Sequence, residues 1–92
     1  MNFPLQPKTR DNLIVREVAE DFVVYDPVKD YTALLNQTAA LVLEFCDGTR
    51  TADEIAREIA GVFGVKIERV AADVEAALKE FATHGFFQAA DE

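Results

Sequence analysis

The sequence predicts an α+β fold, a three-stranded antiparallel β-meander followed by three helices, and two patterns support this prediction. β-branched and aromatic residues dominate residues 13–35, a composition typical of short strands joined by tight turns. From residue 37 onward, apolar residues recur at helical spacing, and capping signals separate three segments. The chain has 92 residues, the size of one domain, so the strands and helices are expected to share one core.

Strands are predicted at residues 13–18, 22–25 and 31–35. The segment Ala19-Glu20-Asp21 suits a hairpin turn between the first two strands. A second turn is predicted at residues 26–30, because Pro27 fixes the backbone and the flanking aspartates can accept hydrogen bonds from nearby amides. Consecutive strands joined by short turns pair with each other, and a sheet this small needs helices packed on one face.

Helices are predicted at residues 37–46, 52–63 and 67–84. Asn36 can cap the first helix, since its side-chain oxygen can accept from a first-turn amide that has no carbonyl partner. Asp47-Gly48 ends this helix, because glycine readily adopts the left-handed conformation that follows many helices. Thr51 and Glu54 form a capping box that begins the second helix. Another glycine, directly after residue 84, ends the third helix.

Residues 1–11 contain two prolines and no periodicity, and they are predicted to form a flexible N-terminal arm before a single domain at residues 12–92. No apolar run reaches a membrane-spanning length, and the amino terminus lacks the apolar core of a signal peptide. The single cysteine excludes an internal disulfide, which favours a reducing cytoplasm.

The chain is acidic, with a formal net charge of −8. Residues 1–43 carry four basic and six acidic side chains, whereas residues 44–92 carry five and eleven. The second half is therefore the more acidic one. Phosphate backbones and anionic membranes repel such a chain, so neither nucleic acid nor a membrane is expected as a partner.

Residue types that build catalytic or metal sites are scarce, so we expect neither enzymatic activity nor a cofactor. His84 is the only histidine and Cys46 the only cysteine, which excludes a zinc site of the usual composition. His84 is better interpreted as a cation at a helix end, and Cys46 as a small buried hydrophobe. The segment that begins at Asp26 has the length of a calcium loop, but Tyr31 and Gln37 replace the required glycine and glutamate.

Three helices beside a small sheet also predict a winged-helix-like shape, which leaves a DNA-binding regulator as an alternative. The candidate recognition helix carries Glu68, Arg69, Asp73, Glu75, Lys79 and Glu80, a net charge of −2. Binding to DNA requires lysine and arginine contacts with phosphates, so the electrostatics oppose this alternative. A third interpretation is a domain whose sheet edge or helix face serves only self-association, as a homodimer.

An ordered set of short motifs spans most of the chain. The set comprises Leu35-Asn36, Thr38-Ala39-Ala40, Asp47-Gly48, Thr51, Glu54-Ile55, Asp73-Val74, Leu78 and Gly85-Phe86. With these motifs and spacings, residues 12–87 resemble the PqqD-like family. Its members are small domains that recognise precursor peptides in the biosynthesis of ribosomally made, modified peptides. The resemblance therefore implies a non-catalytic peptide adaptor.

The resemblance also implies a binding site between the third strand and the third helix. In the family, the leader segment of a precursor peptide adds as a fourth strand along the third, and its side chains enter the adjoining groove. The residues that correspond here are Tyr31, Thr32, Ala33, Leu34 and Leu35 in the strand, and Val70, Asp73, Val74 and Ala77 in the helix. Helical periodicity alone favours ordinary core positions for the apolar helix residues, so this alternative stays open.

Family membership further implies a second partner. PqqD-like proteins present the bound precursor to a modifying enzyme, commonly a radical S-adenosylmethionine enzyme, and some are fused to it. Because this chain ends at Glu92 without a catalytic domain, it resembles the free-standing type. The resemblance does not identify the precursor, whether that of pyrroloquinoline quinone or of another modified peptide.

Overall fold

The computed structural model describes residues 3–88, and within this range the predicted order of three strands and three α-helices is confirmed. The strands are β1 (Ile14–Val18), β2 (Asp21–Asp26) and β3 (Tyr31–Leu35). The helices are α1 (Gln37–Phe45), α2 (Ala52–Phe63) and α3 (Ala71–Thr83), and a 3-10 turn at Ile67–Arg69 precedes α3.

The largest departure from the predicted boundaries is at the start of the third helix. The sequence predicts one helix from residue 67, but α3 begins at Ala71 and the preceding turn is separate. Val70 lies between them with φ −118° and ψ −14°, away from ideal helical values. This break allows the side chain of Val70 to be buried in the core. A helical apolar pattern cannot predict such a local change in backbone conformation.

The sheet has the strand order β1-β2-β3, and both neighbouring pairs are antiparallel. Helix α1 packs against β2 and β3, and α2 and α3 pack against α1. Val24, in the central strand β2, is fully buried and lies opposite Val15 of β1 and Ala33 of β3. The core therefore lies between one face of the sheet and the three helices, as the small sheet requires.

Local capping chemistry follows the sequence closely. The Asn36 side chain accepts a hydrogen bond from the Ala39 amide at 2.8 Å. The Thr51 hydroxyl accepts from the Glu54 amide at 3.2 Å, and Glu54 accepts from the Thr51 amide at 2.8 Å. Both predicted caps are thus confirmed.

The N-terminal segment ahead of β1 packs onto the rest of the domain. Pro7 is fully buried, and the Thr9 amide donates to the Cys46 carbonyl at 3.0 Å. The Arg10 amide donates to the Phe86 carbonyl at 2.9 Å. Residues 7–10, part of the predicted arm, therefore join the end of α1 to the segment that follows α3.

Asp26 is the one charged residue that is buried in residues 3–88. Its carboxylate pairs with the Arg10 guanidinium and accepts a hydrogen bond from the Val28 amide at 3.0 Å and a longer one from the Lys29 amide at 3.4 Å. Burial alone would raise the pKa of Asp26, but the hydrogen bonds from Arg10 and the two amides outweigh it and hold this pKa below its usual value. Arg10 also donates through Nε to the Gly85 carbonyl at 2.9 Å.

Replacing Arg10 with methionine should destabilise the fold, because Asp26 would remain buried without its cation. We expect the melting temperature of Arg10→Met to fall by more than about 10 °C, measured by circular dichroism. Arg16→Met is the matched control, since Arg16 is exposed on β1 and forms no ion pair with a described residue. Equal melting temperatures for the two variants would contradict a stabilising role of the ion pair.

The same carboxylate predicts a pH dependence of stability. A group whose pKa is lowered by folding stabilises the native state fully above its unfolded pKa, about 3.9 for aspartate. This contribution is lost as the pH falls through the lower pKa of the folded protein. The difference in unfolding free energy between wild type and Asp26→Asn should therefore be constant from about pH 5 to 7 and shrink below about pH 4. Calorimetry at several pH values measures this difference in unfolding free energy. A difference that persists unchanged at the lowest pH would contradict a lowered pKa of Asp26 in the folded protein.

Candidate functional site

Strand β3 is an edge of the sheet, because within residues 3–88 no strand pairs with its outer side. The phase of its hydrogen bonds can be derived from the turn between β1 and β2. This turn has two residues, with Ala19 at φ 57°, so the flanking Val18 and Asp21 form a hydrogen-bonded pair. Hydrogen-bonded and non-bonded pairs then alternate along both ladders.

The alternation identifies which backbone groups of β3 are free. Since Asp21 bonds toward β1, its neighbours Phe22, Val24 and Asp26 bond toward β3. Their register partners are Leu35, Ala33 and Tyr31. The amide and carbonyl groups of the two remaining residues of β3, Thr32 and Leu34, therefore point away from the sheet.

The side chains of β3 alternate between the two faces of the sheet. Leu35 is buried, and Tyr31 and Ala33 pack against the core. On the opposite face Thr32 is exposed, and the Leu34 side chain is 70% exposed. The free backbone groups thus belong to residues whose side chains contribute little to the core.

Helix α3 makes no close backbone approach to this edge. No Cα atom of residues 31–35 comes within 8 Å of a Cα atom of residues 71–83. A contact links the start of β3 to the residue after α3, where the tilted rings of Tyr31 and His84 have centroids 4.7 Å apart. The Tyr31 hydroxyl and His84 Nε2 are 3.2 Å apart. The groove that the family resemblance implies between β3 and α3 would therefore end at this aromatic contact.

One face of α3 points in the direction of His84. At 100° per residue, Asp73, Ala77 and Glu80 share this face with His84. Asp73 and Glu80 are exposed, and Ala77 is buried. Glu80 Oε2 lies 4.0 Å from His84 Nε2. The exposed part of this face therefore carries two carboxylates, which favours a guest segment that carries basic or amide side chains.

The predicted site residues divide into two groups in the structure. Those of β3 lie along the free edge, and Asp73 lies at the exposed surface of α3. Val70, Val74 and Ala77 belong to the buried core. Contact of these three residues with a peptide stays a prediction. The sequence pattern did not predict the Tyr31–His84 contact. Helical spacing could have shown that Glu80 and His84, seven and eleven residues after Asp73, lie on the same face of the helix as Asp73.

The described residues offer little reactive chemistry. Burial, with a smaller contribution from Asp47, raises the pKa of the Cys46 thiol to about 12, so the thiolate required of a nucleophile does not form near neutral pH. No group of three or more potential metal-ligating side chains occurs in residues 3–88. In the same range no helix has the length and apolar character needed to cross a bilayer. The candidate site therefore consists of the outward backbone hydrogen-bonding groups of β3.

Known proteins share this architecture. A solved structure of TbiB1 in complex with the TbiA(beta) leader peptide has 14% sequence identity and a TM-score of 0.70, and the match covers 92% of this chain and 99% of TbiB1. Lasso peptide synthetase B1 complexed with the leader peptide has 18% identity and a TM-score of 0.70, with 90% and 98% coverage. At these identities the likeness shows a common fold.

A third structure is that of the PqqD truncation of Methylobacterium extorquens PqqCD, described as a stand-alone recognition element for ribosomally synthesised and post-translationally modified peptides. It has 21% identity and a TM-score of 0.73, and the match covers 94% of each chain. No curated protein shows significant sequence similarity to this chain. The family model of coenzyme PQQ synthesis protein D (PqqD), however, matches residues 14–86, most of the chain. The chain belongs to the PqqD family.

Proposed function

We propose that this chain is a non-catalytic adaptor that binds the leader segment of a ribosomally made precursor peptide at β3. The observation that carries the proposal is the free edge of β3, where the backbone groups of Thr32 and Leu34 point away from the sheet. An extended peptide can add to such an edge through main-chain hydrogen bonds, and side-chain pockets then provide selectivity.

The groove determines which peptide suits the site. Alternate side chains of an added strand point toward the helices, and the Tyr31–His84 contact limits how far they extend at one end. Asp73 and Glu80 lie on the helical side and favour a peptide with basic or amide groups. Two proteins of the same fold are known in complex with leader peptides, which supports a leader peptide as the ligand of this chain.

The peptide must also be released to a modifying enzyme, which we take to be a radical S-adenosylmethionine enzyme in the cytoplasm. Release requires moderate affinity, and a dissociation constant near micromolar corresponds to about −8 kcal/mol. A much tighter complex would retain the peptide. Neither a cofactor nor a metal takes part in this role, because backbone pairing supplies the binding energy.

Electrostatics oppose the two other functions. The exposed charges of α3 include Asp73, Glu75 and Glu80, and Lys79 is paired with Glu75 at 3.4 Å, so this helix does not offer phosphates a basic surface. Self-association through β3 would bring together two chains of net charge −8. A leader peptide with basic residues has no such penalty.

A proline at residue 34 tests the outward hydrogen bond. Leu34→Pro removes an amide that the register directs to the guest strand, so we expect affinity for the leader peptide to fall roughly five- to tenfold, the equivalent of about one hydrogen bond. Isothermal titration calorimetry with the leader peptide encoded beside this gene measures the change. Leu34→Ala, which keeps the amide, should change the affinity less than about twofold.

Ala33→Pro provides the complementary control. The register directs the Ala33 amide to β2, so this substitution should destabilise the fold instead of acting only on binding. If Leu34→Pro left the affinity unchanged in a folded protein, strand addition at β3 would be excluded.

Amide NMR titration with the same leader peptide maps the site directly. We expect shifts to be concentrated at residues 31–35 and along α3, whereas β1, the opposite edge, should change little. A peptide concentration on the order of several hundred micromolar saturates the site if the dissociation constant is near micromolar. Shifts confined to β1 or to the N-terminal segment would place the peptide elsewhere. Protection of β3 that increases with protein concentration in the absence of peptide would indicate self-association.

A further inference from the structure

A concave surface lies beside β1, at the opposite edge of the sheet from β3. It is a cleft of about 690 Å³ between β1, α1 and the end of α2, and we name it the β1–α1 cleft. Its apolar lining includes Leu13, Val15, Phe22, Leu41, Val62 and Phe63. The wall formed by α1 is mixed: Gln37 and Glu44 contribute polar groups beside the apolar Ala40, Leu41 and Leu43.

The cleft leaves large apolar side chains in contact with water. Val15 is 48% exposed, Val62 is 61% exposed and Phe63 is 37% exposed. Single exposed apolar residues are common on protein surfaces, but residues from separate elements that meet in one concavity are typical of a docking surface. These three come from β1 and from the end of α2.

The charges at the rim of the cleft indicate the partner. Arg10, Asp11 and Glu44 lie there, and the Arg10 charge is compensated by Asp26. Neither Asp11 nor Glu44 forms an ion pair with a described residue. The uncompensated charge is therefore negative. It matches an apolar segment flanked by lysine or arginine and disfavours a second copy of this acidic chain.

The cleft and the β3 groove can be occupied at the same time. Strands β1 and β3 are opposite edges of the sheet, about 10 Å apart, and a guest strand on β3 lies farther still from β1. Helix α1, which packs against β2, β3 and α3, separates the two surfaces. An adaptor that presents a peptide needs this property, because its second partner must bind without displacing the first.

We propose that the β1–α1 cleft binds an apolar, lysine- or arginine-bearing segment of the modifying enzyme while the leader peptide occupies β3. The identification of the occupant as that enzyme rests on the proposed function. Simultaneous binding holds the precursor near the enzyme, which raises its effective concentration without strengthening the peptide contact.

Val62→Asp tests the cleft. The side chain of Val62 is mostly exposed, so the substitution should not unfold the protein, yet it places a carboxylate in the apolar surface that the enzyme segment would cover. We expect affinity for the purified modifying enzyme encoded beside this gene to fall at least roughly tenfold in surface plasmon resonance, with leader-peptide affinity changed less than about twofold. Val18→Asp, an exposed position of β1 outside the cleft lining, is the matched control and should retain both affinities.

Leu34→Pro separates this inference from the proposed function. This variant should weaken binding of the leader peptide and leave binding of the enzyme intact, which is the reverse of the result expected for Val62→Asp. Unchanged enzyme affinity of Val62→Asp, or no enzyme binding by the wild type, would overturn the cleft proposal even if Leu34→Pro behaves as expected. Equal loss of both ligands in Val62→Asp would also overturn it. If Val62→Asp changed the sedimentation coefficient of the protein in the absence of enzyme, the cleft would be occupied by a second copy of this chain, and the enzyme would be rejected as its occupant.

Discussion

The buried contact of Arg10 with Asp26 is the interaction on which the arrangement of the molecule depends. Asp26 ends β2 and lies opposite Tyr31, the first residue of β3. Arg10 also donates to the carbonyl of Gly85, directly after α3. The Arg10 guanidinium therefore links the β2–β3 hairpin to the end of α3, and Lys29 adds a second link through its bond to the His84 carbonyl at 2.9 Å. Both links favour the contact between Tyr31 and His84, although the ion pair does not take part in that contact.

Because the sheet and α3 are held together at one end, the remainder of the β3 edge can stay open. An unpaired edge in contact with water keeps its hydrogen bonds to solvent, so it costs the monomer little, but it also invites other strands to pair. Net negative charge counteracts unwanted pairing between copies while it leaves a basic or neutral peptide free to approach. The acidic composition therefore allows the edge of β3 to stay open without pairing between copies of the chain.

Elements specified by neighbouring residues could be predicted from the sequence, whereas contacts between distant segments could not. Asn36 and Thr51 cap their helices through bonds three residues away, and both were predictable from residue type. The Arg10–Asp26 pair joins residues that are sixteen positions apart. Arg10 lies in a segment without periodicity, so no pattern indicated that residues 7–10 would pack on the domain. Peptide binding at β3 stays a prediction, but the sequence does predict the strand itself. Identifying which of its amides are free required the register, since sequence cannot distinguish Ala33 from Leu34 in this respect.

The position of α1 explains how one small domain can present two surfaces. This helix supplies the buried Val42 and Leu43 to the core, and Gln37, Leu41 and Glu44 line the β1–α1 cleft. A helix buried all round would fill that cleft, and a fully polar one would not anchor the sheet. If the two proposed partners bind as inferred, they do not share contacts, so the affinity of each can be moderate and independent. Weak, independent binding joined by proximity allows transfer of a peptide that tight binding at one site would prevent.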